Sequence, residues 1–315
     1  MKSFWLLVAG FLLAVPARSG DFSSSAQGTT TAEFLQLGVG ARAVAMGEAY
    51  SAVTDEASAM YWNPAALTNI QNRSATFMHA AYIGSSYFDY AAYGQNLGSK
   101  GAFGASLQYF SAGGITQTDT TGTDVGSFNP YELAFSLGYA HKLDGLGVQA
   151  LNGYSVGLAG KFIQSRILTT AQTEAFDFGV LSPTYFSDRL KLAFTMTNLG
   201  GTMKFDAANE SLPLNFKLGS SYKITDHWLT AMDVNSPRND NPYIALGTEY
   251  QLATSGPWKM AGRAGFNSET IGSITGFTGV SVGIGIGYSG LAMDYAFVPL
   301  GGVGQAHRLS LTCNF

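Results

Sequence analysis

From residue 73 to the C-terminus, apolar and small or polar residues alternate in runs of about ten, bounded by Gly, Asn, Asp and Pro. Fourteen runs are readable: 73–83, 86–96, 101–111, 131–142, 153–165, 174–186, 190–198, 214–223, 227–235, 243–251, 258–267, 277–288, 290–298 and 306–315. That length suits a tilted strand crossing a bilayer, about 9–11 residues. Strands in soluble domains more often stop near about five or six. One face carries Leu133, Phe135, Leu137 and Tyr139 in one run, and Val280, Val282, Ile284 and Ile286 in another. The opposite face carries Gly, Ala, Ser and isolated charges, namely Glu132, Lys161, Asp177, Lys217, Glu249, Lys259, Arg263, Asp294 and Arg308. A soluble sandwich would place a charge-rich face in water. A face of small residues instead predicts a lumen, with lipid against the apolar face. In lipid such a sheet must close, because an open edge leaves backbone groups without partners. The expectation is an all-β, closed antiparallel outer-membrane barrel of about 14 strands.

The connections test this independently, since such barrels alternate short periplasmic turns with longer external loops. With both chain ends periplasmic, the external links include 112–130, 166–173, 199–213, 236–242, 268–276 and 299–305; the periplasmic ones include 97–100, 187–189, 224–226 and 252–257. The exceptions are 84–85, short though external, and 143–152, long though periplasmic. The last run ends in Leu309, Leu311, Cys313 and Phe315 at alternate positions. Leu309, Leu311 and Phe315 resemble the terminal signal read by the barrel-assembly machinery. Cys313 then faces lipid as a small hydrophobe.

The first 72 residues follow other rules. Lys2, the apolar run Phe4 to Ala17 and the small-x-small site Ala17-Arg18-Ser19 read as a secretory signal peptide over 1–20. Residues 32–72 are apolar without alternating. Thr54 or Asp55 is placed to cap a short helix through Met60, which Asn63-Pro64 then breaks. An ordered, apolar, partly helical segment ahead of the first strand fits inside the barrel, so 21–72 is expected to be a hatch in the lumen and 73–315 the barrel.

Composition narrows the field further. The 315 residues are 12% charged, with 39 Gly, 13% aromatics, one Cys and a net charge of −4. Average soluble domains hold about 25% charged residues and about 7% Gly. One Cys excludes a disulfide framework and Cys-based metal sites. No basic stretch exists for a nucleic-acid backbone. Gly153–Gly157 and Gly279–Gly283 match G-x-S-x-G, but lie in strands with no helix following, so neither is the nucleophile elbow of a hydrolase. Gly285, Gly287 and Gly290 match G-x-G-x-x-G outside any βαβ unit, and read instead as sites of close approach to the hatch. The four His are scattered. No enzyme, cofactor or metal site is expected. The inward charges Lys161, Lys217, Glu249, Arg263, Asp294 and Arg308 either pair to fix the hatch or line a polar conduction path. In the pairing case, Asp55 and Glu56 of the hatch meet the lumen cations.

Gly38 to Leu67, including Gly40, Arg42, Gly47, Asp55, Asn63, Pro64 and Ala65, resembles the N-terminal signature of the PorV/PorQ family of outer-membrane proteins. Further blocks resemble the same family: Asn198-Leu199-Gly200-Gly201, Leu212-Pro213-Leu214 with Lys217-Leu218-Gly219, Gly247-Thr248-Glu249-Tyr250, Met293 to Gly301 and His307 to Leu311. Asn63 to Ala65 is also similar to the hatch of FadL-type channels. Both resemblances imply fourteen strands and an N-terminal plug. The first implies a role in type IX secretion in the outer membrane of a Gram-negative-type cell: cargo is received from the translocon and passed to surface attachment. Its partners would be the translocon and cargo proteins, meeting external loops that carry Phe128, Asn129, Phe205, Asn209, Asn239 and Asn241. The second implies the alternative, a channel for hydrophobic small molecules such as fatty acids or hydrocarbons.

Overall fold

The computed structural model describes residues 21–144, 147–205, 209–252 and 256–315; the expected signal peptide lies outside them. The strands are β1 (Arg73–Ala81), β2 (Tyr87–Asn96), β3 (Ala102–Ser111), β4 (Ile115–Thr118), β5 (Asp124–Phe128), β6 (Tyr131–Lys142), β7 (Ser155–Arg166), β8 (Thr170–Leu181) and β9 (Leu190–Gly200). They continue with β10 (Thr202–Lys204), β11 (Asn209–Ser211), β12 (Asn215–Lys223), β13 (Trp228–Pro237), β14 (Tyr243–Leu252), β15 (Trp258–Asn267), β16 (Val280–Tyr288), β17 (Leu291–Pro299) and β18 (Gln305–Asn314). Fourteen of them form one closed antiparallel barrel, sealed where β1 pairs with β18 from Ser74↔Asn314 to Ala81↔His307. The remaining four make two hairpins, β4–β5 and β10–β11, within the two longest links.

Burial follows the alternation. Outward residues stay exposed, as Leu137 (58%) and Ile284 (59%) show, while their inward neighbours are covered. Leu309 and Phe315 point outward, and Phe315 exchanges backbone hydrogen bonds with Arg73 at 3.0 Å, tying the last residue to the start of β1.

The inward neighbours are covered by residues 32–70. These hold two short helices, α1 (Ala41–Ala45) and α2 (Ala59–Trp62), and a 3-10 turn over Pro64–Asn69. The predicted helix from Thr54 or Asp55 is not formed; α2 starts later, and Asp55 is engaged by Arg42. Asn63 instead caps the 3-10 turn, its side chain accepting the Ala65 N–H at 3.0 Å, while Pro64 fills the first position, where no N–H is needed.

So irregular a backbone must find hydrogen-bond partners elsewhere. The wall supplies them. Ser310 accepts the Ala41 N–H (2.6 Å), Ser281 that of Gly47 (3.1 Å) and Ser74 that of Ala57 (3.1 Å). Asp233 accepts the N–H groups of Tyr50 and Ser51 (3.1 and 3.0 Å). Glycines supply the room. The inward glycines 94, 104, 138, 157, 179, 219, 247, 265 and 283 would each, given a Cβ, overlap this segment. The closest approach is glycine on glycine: a Cβ at Gly265 would overlap the backbone of Gly47, itself at φ +63°.

The N-terminal segment, from Asp21 to the start of β1, has its two ends at opposite ends of the barrel. Asp21 pairs with Arg238 at 3.2 Å, and Phe22 donates its N–H to the Arg238 carbonyl at 2.7 Å. Arg238 follows β13 at the long-loop end, whereas Arg73 starts β1 at the short-turn end. The segment therefore runs the length of the barrel, from the external rim to the periplasmic side.

Gly265→Val tests this packing. Overfilling a tight contact costs about 1–3 kcal/mol, so the barrel should lose its heat-resistant gel mobility at lower temperature. Gly262→Val on the same strand, with open space around it, should behave as wild type.

Candidate functional site

Of the inward charges predicted from parity, Lys161, Asp177, Lys217, Glu249, Arg263, Asp294 and Arg308 are paired, and the N-terminal segment takes part in several of the pairs. At the short-turn end, Arg42 of α1 grips Glu249 of β14 through Nε and Nη2 (2.8 and 3.0 Å). Glu249 also receives Arg263 Nε (2.6 Å), and Arg263 reaches on to Asp294 (2.7 Å). Four charges on α1, β14, β15 and β17 thus form one chain of charge-assisted hydrogen bonds, which are stronger than neutral ones. Higher up, Arg308 donates to the Gly38 carbonyl (2.5 Å) and to Tyr82 (2.6 Å), with Glu48 at 3.8 Å. Lys217 stands 3.8 Å from Asp233 and 4.7 Å from the Trp62 ring centre. Lys161 and Asp177 pair at 2.8 Å within the wall, and Lys161 also donates to Asn198 Oδ1 (2.7 Å).

This corrects one expectation. The segment was to bring acids, Asp55 and Glu56, to lumen cations. Asp55 meets Arg42 of its own segment at 2.8 Å, and Glu56 accepts from Ser58 at 3.0 Å. The main contact runs the other way, with a segment cation on a wall carboxylate.

Other residues of the signature serve the same seat. Gly40, at φ +79°, precedes α1. Asn63, Pro64 and Ala65 lie against Gly179 and Gly157, where a Cβ would overlap Asn63 Oδ1 and Ala65 N. Both serines of the G-x-S-x-G matches are absorbed here: Ser281 accepts from Gly47, and Ser155 from the Thr68 hydroxyl at 2.9 Å. Asp233 and Glu48 escaped the sequence reading. Parity along β13 marks Asp233 as inward; nothing marks Glu48. Phe205 and Asn239, expected exposed, are not: Asn239 donates to Glu33 (3.0 Å), and Phe205 packs against the interior. Asn241 accepts from the Ser24 N–H (3.1 Å). Asn239 and Asn241 hold the first part of the described segment.

At the short-turn end a cavity of about 570 Å³ opens between the segment and the wall. Arg42, Asp55, Glu56, Glu249, Arg263 and Asp294 line its floor, and Lys259, Gln251, Asn72 and Asn314 its sides. Among the described residues, no three His, Cys, Asp or Glu are arranged to hold a metal ion. His79 meets Asp89 on the outer face at 2.7 Å, and His307 meets Tyr295 at 2.6 Å.

A family model described as "Type IX secretion system protein PorV" matches residues 23–234. The chain belongs to the PorV family. The match takes in the N-terminal segment and the wall as far as β13, so the Arg42, Asn63 and Asn198 elements all lie within the PorV region. No curated protein matches the chain in sequence. The fold is shared with the Ralstonia pickettii toluene transporter TbuX at 13% identity and a TM-score of 0.59, covering 88% of this chain and 98% of that one. The Pseudomonas putida toluene transporter TodX is similar at 12% identity and 0.56, covering 88% and 98%. A Pseudomonas aeruginosa FadL homologue is similar at 13% and 0.53, covering 91% and 98%. At such identities the likeness shows architecture alone.

Two predictions follow from the charges. Arg42→Ala leaves the buried Glu249 short of two charge-assisted bonds, worth about 1.5–3 kcal/mol each, and should lower the unfolding midpoint in detergent. Asp55→Ala, removing a half-exposed partner, should cost at most about 1 kcal/mol. In the external link after β15, burial, reinforced by the carboxylates of Glu48 and Asp240, pushes Glu269 up to about 8 from 4.5. Between these values the folded state holds a proton that the unfolded chain has lost, so stability should fall as pH rises through that window. Thermal unfolding at pH 5.5, 7 and 8.5 should show the decline, and Glu269→Gln should flatten it.

Proposed function

We propose that this outer-membrane barrel serves type IX protein secretion, receiving exported polypeptides from a translocon and passing them to surface attachment. The family match carries this reading, because it spans the N-terminal segment together with the first nine wall strands. The geometry supports it from another side. The segment at 32–70 acts as a plug: its backbone is bonded to the wall, most lumen charges are paired, and the cavity of about 570 Å³ at the short-turn end is floored by ionic side chains. A barrel so filled works through its external surface. The leader over 1–20 directs export, and Leu309, Leu311 and Phe315 present the terminal pattern to the barrel-assembly machinery.

The alternative, a channel for hydrophobic small molecules, has the fold likeness to toluene transporters in its favour. It needs an apolar route past the plug, and the ion-paired floor opposes that.

Deleting the gene decides between them. The secretion role predicts loss of exported proteins from the cell surface with their periplasmic accumulation, and unchanged uptake of labelled toluene or long-chain fatty acid. Normal surface display with impaired uptake would overturn it in favour of the channel.

A further inference from the structure

The wall has an irregularity between β8 and β9. On its β7 side, β8 is paired throughout, from Ser155↔Leu181 to Arg166↔Thr170. On its other side the ladder with β9 begins only at Ala175↔Gly200. Residues 170–173 of β8 therefore extend beyond the β9 ladder, unpaired on that edge among the described residues. A β-bulge sets the step. The register shifts between Phe176 and Phe178, and Asn198, at φ +61°, donates its N–H to Asp177 at 2.8 Å. The Asn198 side chain also donates to the Pro213 carbonyl (3.0 Å), which fixes where the chain leaves the wall and where it returns.

The direction of the open groups can be read from one bond. The Glu174 carbonyl accepts the Gly201 N–H at 3.0 Å, so Glu174 faces the β9 side. In an antiparallel strand, N–H and C=O of one residue point the same way and alternate between residues. Gln172 and Thr170 thus turn their N–H and C=O toward the open side. Among the described residues no strand pairs with β8 there: β10 lies beside β8 but takes β11 as its ladder partner, and Met203 is fully buried.

What remains is a groove of about 540 Å³ on the outer face, floored by Gly200 and Gly201 and flanked by Phe162, Phe176, Thr173 and Glu174. Any side chain at Gly200 or Gly201 would intrude on it, since a Cβ there would overlap Glu174 O or Thr173 Oγ1. Among the lining residues only Glu174 is ionisable, so the groove is acidic. Natural sheets pair, cover or blunt such edges, because an open edge is a template for another strand. A lipid chain could cover the two phenylalanines, but only a polypeptide backbone can satisfy the ladder groups of Gln172 and Thr170.

We propose that the unpaired edge of β8, Thr170 to Thr173, is a strand-addition site for an extended segment of an exported polypeptide carrying Lys or Arg within reach of the Glu174 carboxylate. The proposal rests on the secretion role above and adds where, and through which atoms, the polypeptide is held.

The test compares surface display in cells carrying the deletion or single substitutions, with the amount and heat-resistant mobility of the barrel measured alongside. Gln172→Pro removes an N–H on the open side and no backbone bond to β7, so display should drop about tenfold, while Gln172→Ala, which loses the same side-chain bond to Gln164 but keeps the backbone donor, should display normally. Gly201→Val fills the groove from its other wall and should produce the same drop, and Glu174→Lys should lower display where Glu174→Gln does so less. Normal display in folded Gln172→Pro and Gly201→Val barrels, beside a deletion that abolishes it, overturns the edge and leaves the secretion role standing. An equal loss in Gln172→Ala and Gln172→Pro also overturns it. Normal display in the deletion strain overturns the role and the edge together.

Discussion

Everything in this molecule depends on the rule that a peptide group in hydrocarbon must find its partner within the protein. Fourteen strands meet it by closing into a ring. Closure creates a second problem, because a ring of this circumference encloses a space too wide for its own side chains to fill. The interior is filled by the forty residues that precede the first strand, and they are shaped by the same rule. Their short helices and turns satisfy only part of their own backbone. Wall serines and Asp233 therefore take their N–H groups, and wall glycines let the backbone come close enough to be taken. Serine and glycine on the inward face are the two halves of one solution.

Charge in such an interior is tolerated only in company. Lone ions would be costly to bury, and removing one member of a pair leaves the other exposed to that cost. Arg42, Glu249, Arg263 and Asp294 share their bonds along a chain, so each ion has a neighbour on at least one side. This arrangement joins three separate wall strands to α1 and gives the segment one register against the wall. Glu48 and Arg308 add a second, looser tie higher up, close to the Gly38 carbonyl.

Most of the wall was legible in the sequence because lipid enforces a period of two. Strand number and facing came out directly, and the inward charges were identified by parity alone. The signal faded where lipid stops enforcing it. The sixth run was read at 174–186, but β8 runs from Thr170 to Leu181; Gln172 and Glu174 lie outside the apolar pattern because their hairpin stands above its neighbour. Inside the barrel the limit was different. Parity shows that Glu249 points inward but not what meets it, and the choice of Arg42 over Asp55 depends on how α1 sits against β14 to β17. The capping reading at Thr54 failed for a related reason: the longer-range bonds of Asp55 to Arg42 and of Asn69 to the Thr54 carbonyl outweigh the local preference. Asn198 and its glycines were noticed only as a family block, and the bulge gives that block a physical meaning.

The opposite placement of the two ends of the N-terminal segment has a consequence for how the molecule is made. A segment that runs from the long-loop rim at Asp21 down through the lumen before the chain becomes wall cannot be inserted into a finished ring without being threaded through the whole length. The order of events is then constrained by topology. The segment has to be in place while the sheet is still an open ribbon, with the wall curling around it as successive strands join. The β1–β18 contact would be the last made, and the glycine belt then acts as a mould around which the ribbon is bent.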